Sequence, residues 1–249
     1  SMSAPVRHHT DRVLTPWLWG LLPDNADVLG RWGREFGVSV ASPFPLLATQ
    51  VGHDCAGAVQ FCAPGEVDDL LARPGTVQPL SEAEIADRMR ALRTDTTTWL
   101  GPEFTGRFSL AGAQAKTALA FDEVHGWVQP GGSAPTTHIL KPAVVGLDGH
   151  DLNEHLCLAA ARRCGLVVAS TRVEAFEDQT AIVVERYDRH VVAGELTRIH
   201  QEDVCQALGI DPSRKYQSDG GPSPADIAGL LRSVLPADRA LHDIRRFVD

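Results

Sequence analysis

Apolar residues recur at helical spacing through the first third of the chain. Val28, Leu29, Trp32 and Phe36 share one face behind Asn25, whose side chain suits an N-cap, and Gly37 supplies the stop. Residues 43–51 predict a second short helix ending at Gly52, and residues 58–62 a short strand. Ser81 and Glu84 make a capping box ahead of Ile85, Met89 and Leu92 on one face. The period then shortens. Residues 117–121 and 126–129 flank a polar turn and predict a hairpin, and 136–141 predict a further strand broken by Pro142. Helical spacing returns over 151–164, with Leu152, Leu156, Ala159 and Ala160 on the apolar side and Gly165 at the stop. Strands follow at 166–169, 172–176 and 181–185. From about 197 the pattern is helical: 202–208, then a helix behind Ser223 and Pro224 with Ile227, Leu230, Leu231 and Val234, then a last one from Ala237.

This order predicts an α+β fold in three stretches. Residues 1–95 form an α/β module, 96–190 an antiparallel sheet with one helix, and 191–249 a run of helices. The first stretch has a core-forming pattern without a catalytic constellation, which favours a packing or interaction module.

Composition narrows the function classes. The 249 residues are 43% hydrophobic and 22% charged, ordinary for a globular protein. The formal net charge of -9 disfavours whole-surface contact with nucleic acid. No apolar run is long enough to span a membrane and no signal peptide is evident, so the expected location is the cytoplasm. Ser1 and Met2 resemble a tag remnant, and His8 and His9 are assigned no ligand role. Cys55, Cys62, Cys157, Cys164 and Cys205 are scattered and odd in number, which predicts free thiols and neither disulfides nor a zinc site.

The chemistry concentrates in Phe108-Ser-Leu-Ala-Gly-Ala-Gln-Ala-Lys-Thr-Ala-Leu119. Ala111, Gly112 and Ala113 carry so little bulk that backbone N–H groups can approach an anion. It is not a P-loop, because Ala115 stands where a second glycine would precede Lys116. Downstream come a strand ending in Lys141, a helix carrying Glu154, and strands leading to Glu185, Arg186, Tyr187 and Asp188. That is the order of parts in a protein-kinase small lobe: phosphate loop, lysine strand, helix with a pairing glutamate, hinge. Singly, each residue has a plainer reading. Lys141 would be solvated at a strand end, Glu154 favoured by a helix dipole, and Glu185 and Asp188 surface charges beside Arg186 and Arg189.

These segments carry a family resemblance. The chain resembles the HipA family, the kinase toxins of bacterial toxin–antitoxin pairs, through Trp19-Gly-Leu-Leu-Pro-Asp-Asn25, Gly52-His-Asp-Cys-Ala-Gly-Ala58, Phe108-Ser-Leu-Ala-Gly-Ala-Gln114 with Lys116, Thr136-Thr-His-Ile-Leu-Lys-Pro142, Asn153-Glu154, Val184-Glu-Arg-Tyr-Asp-Arg189, His200-Gln-Glu-Asp-Val-Cys-Gln-Ala207, and Lys215-Tyr216 before Gly220-Gly-Pro222. The resemblance implies ATP phosphates at Ala111, Gly112, Ala113, Gln114, Ala115 and Lys116, ATP binding by Lys141, and an adenine hinge at Glu185, Arg186 and Tyr187. It implies autophosphorylation at Ser109, which switches such kinases off. It also implies a serine/threonine protein substrate, such as an aminoacyl-tRNA synthetase, and a HipB-like helix-turn-helix antitoxin that makes contact with DNA indirect. The catalytic carboxylate and the Mg2+ ligands of such kinases are expected beyond Asp249, since Asp243 and Asp249 lack the accompanying asparagine pattern. The chain then reads as an inactive ATP-binding portion. The alternative is a non-catalytic module that docks an antitoxin or another kinase subunit.

Overall fold

The computed structural model describes residues 10–63, 65–101, 105–192 and 195–248. Ser1, Met2, His8, His9 and Asp249 lie outside them. The helices are α1 (Asp11–Trp19), α2 (Ala26–Glu35), α3 (Pro43–Leu47), α4 (Val67–Ala72), α5 (Glu82–Thr94), α6 (His150–Arg163), α7 (Val204–Leu208), α8 (Pro224–Val234) and α9 (Ala237–Val248). The strands are β1 (Gly75–Pro79), β2 (Thr117–Asp122), β3 (Gly126–Gly132), β4 (His138–Pro142), β5 (Thr171–Phe176), β6 (Gln179–Glu185), β7 (Arg189–Val192) and β8 (Glu195–Arg198).

Local chemistry explains the best-read boundaries. The Asn25 side chain accepts from Asp27 N and Val28 N and so starts α2. Ser81 and Glu84 complete their capping box at α5, and Ser223 and Asp226 form another at α8. The expected hairpin is β2–β3, with Ala120 opposite Val128 and Phe121 opposite Trp127. All five cysteines are free thiols.

One antiparallel sheet in the order β1-β3-β2-β4-β6-β5 organises the molecule. A single core cluster packs against it. It joins Leu21, Leu22, Trp32, Leu46, Ile85 and Met89 of the first stretch to Phe108, Leu119, Trp127, Leu140 and Val183 of the second. Trp32 and Trp99 meet edge to face, with ring centroids 6.4 Å apart.

The first stretch joins the sheet directly, β1 pairing with β3 and α5 packing against β4, β5 and β6. Several expectations give way here. Residues 58–62 and 166–169 form no strand. The stretch from 191 does not begin as helices: β7 and β8 make a hairpin first, with Arg189 opposite Arg198. The strand expected over 136–141 starts later, at His138, and ends at Pro142, opposite Ala181. Leu152 and Leu156 on α6 are exposed instead of buried. Among the described residues no helix is long and apolar enough to cross a membrane.

Candidate functional site

The strand period fixes the direction of Lys141. Leu140 is fully buried in the core, so its neighbours Ile139 and Lys141 face the opposite side of the sheet. On that side α6 presents Glu154, and Lys141 Nζ lies 2.7 Å from Glu154 Oε1. Both side chains are about one-fifth to one-quarter exposed, at 20% and 25%. The lysine is therefore aimed by a carboxylate while part of its head stays reachable.

The small-residue loop runs directly into β2 and folds round Lys116. Lys116 Nζ donates to Ala111 O at 2.7 Å and lies 4.3 Å from the centre of the Trp99 ring. Gly112 has φ of 107°, and a Cβ there would stand 2.7 Å from Lys116 Nζ, so any side chain would collide with the ammonium. Gly112 O accepts from Asp24 N at 3.1 Å, which ties the loop to the end of the α1–α2 connection. Asp24 in turn holds Lys215, with Nζ and Oδ2 2.8 Å apart. Burial pushes the Lys116 ammonium down to about 7. Lys141 and Lys215 add like-charge repulsion, while Asp24 and Glu154 oppose it. Three lysines thus act on one another at this loop, and two of them carry their own carboxylate.

A cleft of about 330 Å³ runs along one flank of the loop, between Ala113, Gln114 and Ala115 and the 142–145 segment. Gln114 Nε2 and His150 Nδ1 are buried there without a hydrogen-bond partner among the described residues. Such atoms are costly unless something enters to meet them. Ser109 is fully buried. Its hydroxyl donates to Leu21 O at 2.6 Å, and its N–H donates to Asp54 O at 3.1 Å.

The segment after β6 is divided in two by its alternation. Glu185 and Tyr187 are exposed, whereas Arg186 and Asp188 are buried. Arg186 offers no side-chain group to a ligand. Its guanidinium contacts Asp188 at 2.8 Å, Asp54 at 3.3 Å and Cys55 O at 3.0 Å, and its backbone N–H donates to Thr137 O. Asp188 and Arg189 are also interior, not surface charges: Arg189 reaches Asp54 at 2.9 Å and Arg198 adds a third contact at 3.1 Å. Asp243 forms an ordinary helix-surface pair with Arg239.

Sequence reasoning did not assign roles to Lys215, Asp24 or Asp54, although all three stand in the quoted motifs. Their partners lie 191 and 132 residues away for the Asp24 and Asp54 pairs, so no local spacing marks them.

The buried lysine gives a pH prediction. Its folded pKa of about 7 lies below the ordinary 10.5, so between those values the unfolded chain holds a proton that the folded chain lacks. Stability then rises with pH across that window, by up to about 1.4 kcal/mol per pH unit. Urea titrations of the wild type and Lys116→Met should show the variant's relative advantage shrinking from pH 7 to pH 9. A pH-independent difference would contradict the assignment.

Comparison with known proteins follows the same outline. A family model for the HipA-like C-terminal domain matches residues 108–249, and one for the HipA N-terminal domain matches residues 1–62. "Putative kinase Y4mE" of Sinorhizobium fredii is 39% identical over 242 residues, covering 96% of this chain and 56% of that protein. The serine/threonine-protein kinase toxin HipA of Shewanella oneidensis is 31% identical over 218 residues, covering 85% and 47%. Among solved structures, a chain of the Shewanella oneidensis MR-1 toxin–antitoxin complex of HipA, HipB and operator DNA superposes with a TM-score of 0.73 at 28% identity, covering 94% of this chain and 56% of that one. The chain spans about half the length of the curated relatives it matches. With a family model covering more than half of its residues and the fold shared, the chain belongs to the HipA family.

Proposed function

We propose that this chain is the ATP-binding portion of a cytoplasmic HipA-type serine/threonine-protein kinase toxin. The observation that carries the reading is the 2.7 Å pair between Lys141 on β4 and Glu154 on α6, set beside a small-residue loop ringed by Lys116 and Lys215. In this reading β2 to β6 with α6 serve as the kinase-like small lobe. ATP supplies the phosphoryl group. Lys141 holds its phosphates, Glu154 fixes Lys141, and the 111–116 loop offers backbone N–H groups and the Gln114 amide. The chain's residues fit such a polyanion, because the cations converge and Gln114 Nε2 is a buried donor without a partner among the described residues. The 185–187 segment, exposed at Glu185 and Tyr187, is the adenine hinge through its backbone, the buried Arg186 serving only to brace it.

The acceptor base and the Mg2+ ligands are assigned to the part of the relatives that this chain does not span. The chain alone is therefore expected to bind nucleotide weakly and to transfer no phosphate. The partners proposed are a HipB-like helix-turn-helix antitoxin, through which DNA is met indirectly, and a protein substrate such as an aminoacyl-tRNA synthetase. Ser109 is proposed as the regulatory phosphorylation site. A phosphate on its buried hydroxyl would carry about -1.5 to -2 charge into the core, so the modified loop must leave its seat. The second reading, a docking module without nucleotide, draws on exposed Leu152, Leu156, Val167 and Val191.

Calorimetry with Mg–ATP separates the two. Saturable binding to this chain, lost when Mg–ATP is replaced by adenosine, supports the kinase reading. No binding by the chain, together with retention by a HipB-like antitoxin, would establish the docking module instead.

A further inference from the structure

Asp24 and Lys215 come together at the small-residue loop from distant parts of the chain. Asp24 Oδ2 accepts from Lys215 Nζ at 2.8 Å, across 191 residues. The same aspartate donates its backbone N–H to Gly112 O at 3.1 Å, in the middle of that loop. The carboxylate is therefore anchored against the loop, and it brings the ammonium with it. Lys116 feels both charges. Burial is the main force on its ammonium, with Lys215 acting in the same sense and Asp24 against it.

The lysine is set in place by a compact turn. Gly221 N donates to Tyr216 O at 2.9 Å, and a Cβ on Gly221 would collide with Arg214 O, so the two segments pack backbone to backbone. Lys215 Nζ lies 5.3 Å from the centre of the Tyr216 ring. The side chains of Lys215 and Asp24 are 34% and 20% exposed, so the pair stays open to water. So open a pair adds little to stability, and as a tether between segments it is weak. As a charge beside an anion-binding loop it is well placed.

We propose that Lys215 is a further phosphate-binding residue and that Asp24 is the internal carboxylate which phosphate displaces from it. The proposal rests on the nucleotide reading above and adds a residue to it. A lysine suits such an exchange, because its ammonium is a point charge on a flexible stem and changes partner without moving the backbone. A polyphosphate carries several negative charges against the carboxylate's one, so it competes for that ammonium. Asp24 is not stranded by the exchange. It directly precedes Asn25, the N-cap of the ten-residue α2, where the helix dipole favours a negative charge. Until it is displaced, Asp24 occupies Lys215 and holds nucleotide affinity down.

The test is calorimetry of the chain with Mg–ATP, using Asp24→Asn, Lys215→Met and the double variant. Asp24→Asn keeps the backbone bond to Gly112 and releases Lys215, so it is expected to tighten Mg–ATP by about fivefold, whereas Lys215→Met should weaken it by about tenfold. In the double variant most of the gain should vanish, since Asp24 then has no lysine to hold. A plain tether predicts the opposite sign: Asp24→Asn would weaken binding as Lys215→Met does, and that result overturns the proposal. So does a gain from Asp24→Asn that persists undiminished without Lys215. Affinity unchanged in both single variants, with Lys141→Ala still weakening it, overturns the proposal and leaves the nucleotide reading standing. No Mg–ATP binding by the wild type or any of the variants overturns both.

Discussion

Replacing Asp54 with alanine is expected to cost the fold about 3–5 kcal/mol, the largest loss from any single polar substitution considered. Asp54 is 3% exposed and accepts from five donors: Thr136 N at 2.9 Å, Thr136 Oγ1 at 2.6 Å, Arg186 Nη1 at 3.3 Å, Arg189 Nη2 at 2.9 Å and Arg198 Nε at 3.2 Å. Its removal leaves the wholly interior Arg186 and Arg189 with Asp188 as their one carboxylate among the described residues, and Arg198 with the Ser133 carbonyl. Those charges have no route to water without separating the 52–58 turn from the end of β6, and Gly57 N, bonded to Asp188 at 2.6 Å, would go with them. Asp54→Asn should do little better, because its amide turns donors toward the arginines. Arg90 makes a useful contrast. It touches Asp87, Glu177 and Asp178 on the surface, and Arg90→Ala should leave stability almost unchanged, since water and salt already screen that cluster. Urea unfolding of the three variants decides the matter, and an Asp54→Ala curve within about 1 kcal/mol of the wild type would contradict it.

The same network marks the limit of what the sequence reveals. Elements with a strong local cause were legible: Asn25 before an amphipathic stretch, the Ser81 capping box, the Ser223–Pro224 helix start, and the 117–129 hairpin. Elements without one were not. β1 pairs along its whole length, yet all five of its residues are exposed, so no alternation betrays a strand. β7 and β8 share this fault, with Val191 71% exposed. The helix α1 carries Pro16 in its interior, which argues against a helix until tertiary packing overrides it. Conversely, residues 166–169 are apolar enough for a strand, but Val167 is 82% exposed and pairs with no strand.

The site followed the same rule. Lys141 and Glu154 could be paired from their order along the chain, because a strand and the next helix bring them together over 13 residues. Asp24 with Lys215, and Asp54 with its three arginines, depend on packing between distant segments. The alternation that exposes Glu185 and Tyr187 while burying Arg186 and Asp188 was not read from the sequence, because the carboxylate that receives Arg186 lies in the first stretch of the chain.

Lys141→Ala is expected to lower ATP affinity by about a hundredfold or more, equivalent to about 2.7 kcal/mol, while changing the fold's stability by no more than about 1 kcal/mol. The two effects separate because the lysine's partner already reaches water, at 25% exposure: Glu154, left alone, can hydrate. Glu154→Gln should cost about tenfold in affinity, since the amide still accepts from Lys141 but no longer holds it by charge. The pair is not isolated. Lys141 is one of the like charges acting on Lys116, so its removal lets Lys116 keep its proton more readily and recover part of the lost attraction. The loss should accordingly be larger at pH 6.5, where Lys116 is charged in both proteins and cannot compensate further, than at pH 8. Calorimetry of the wild type, both single variants and the double variant, at the two pH values, tests the whole scheme. ATP affinity unchanged by Lys141→Ala would remove the lysine from the nucleotide site. Additive losses in the double variant would mean that Glu154 does not act through Lys141.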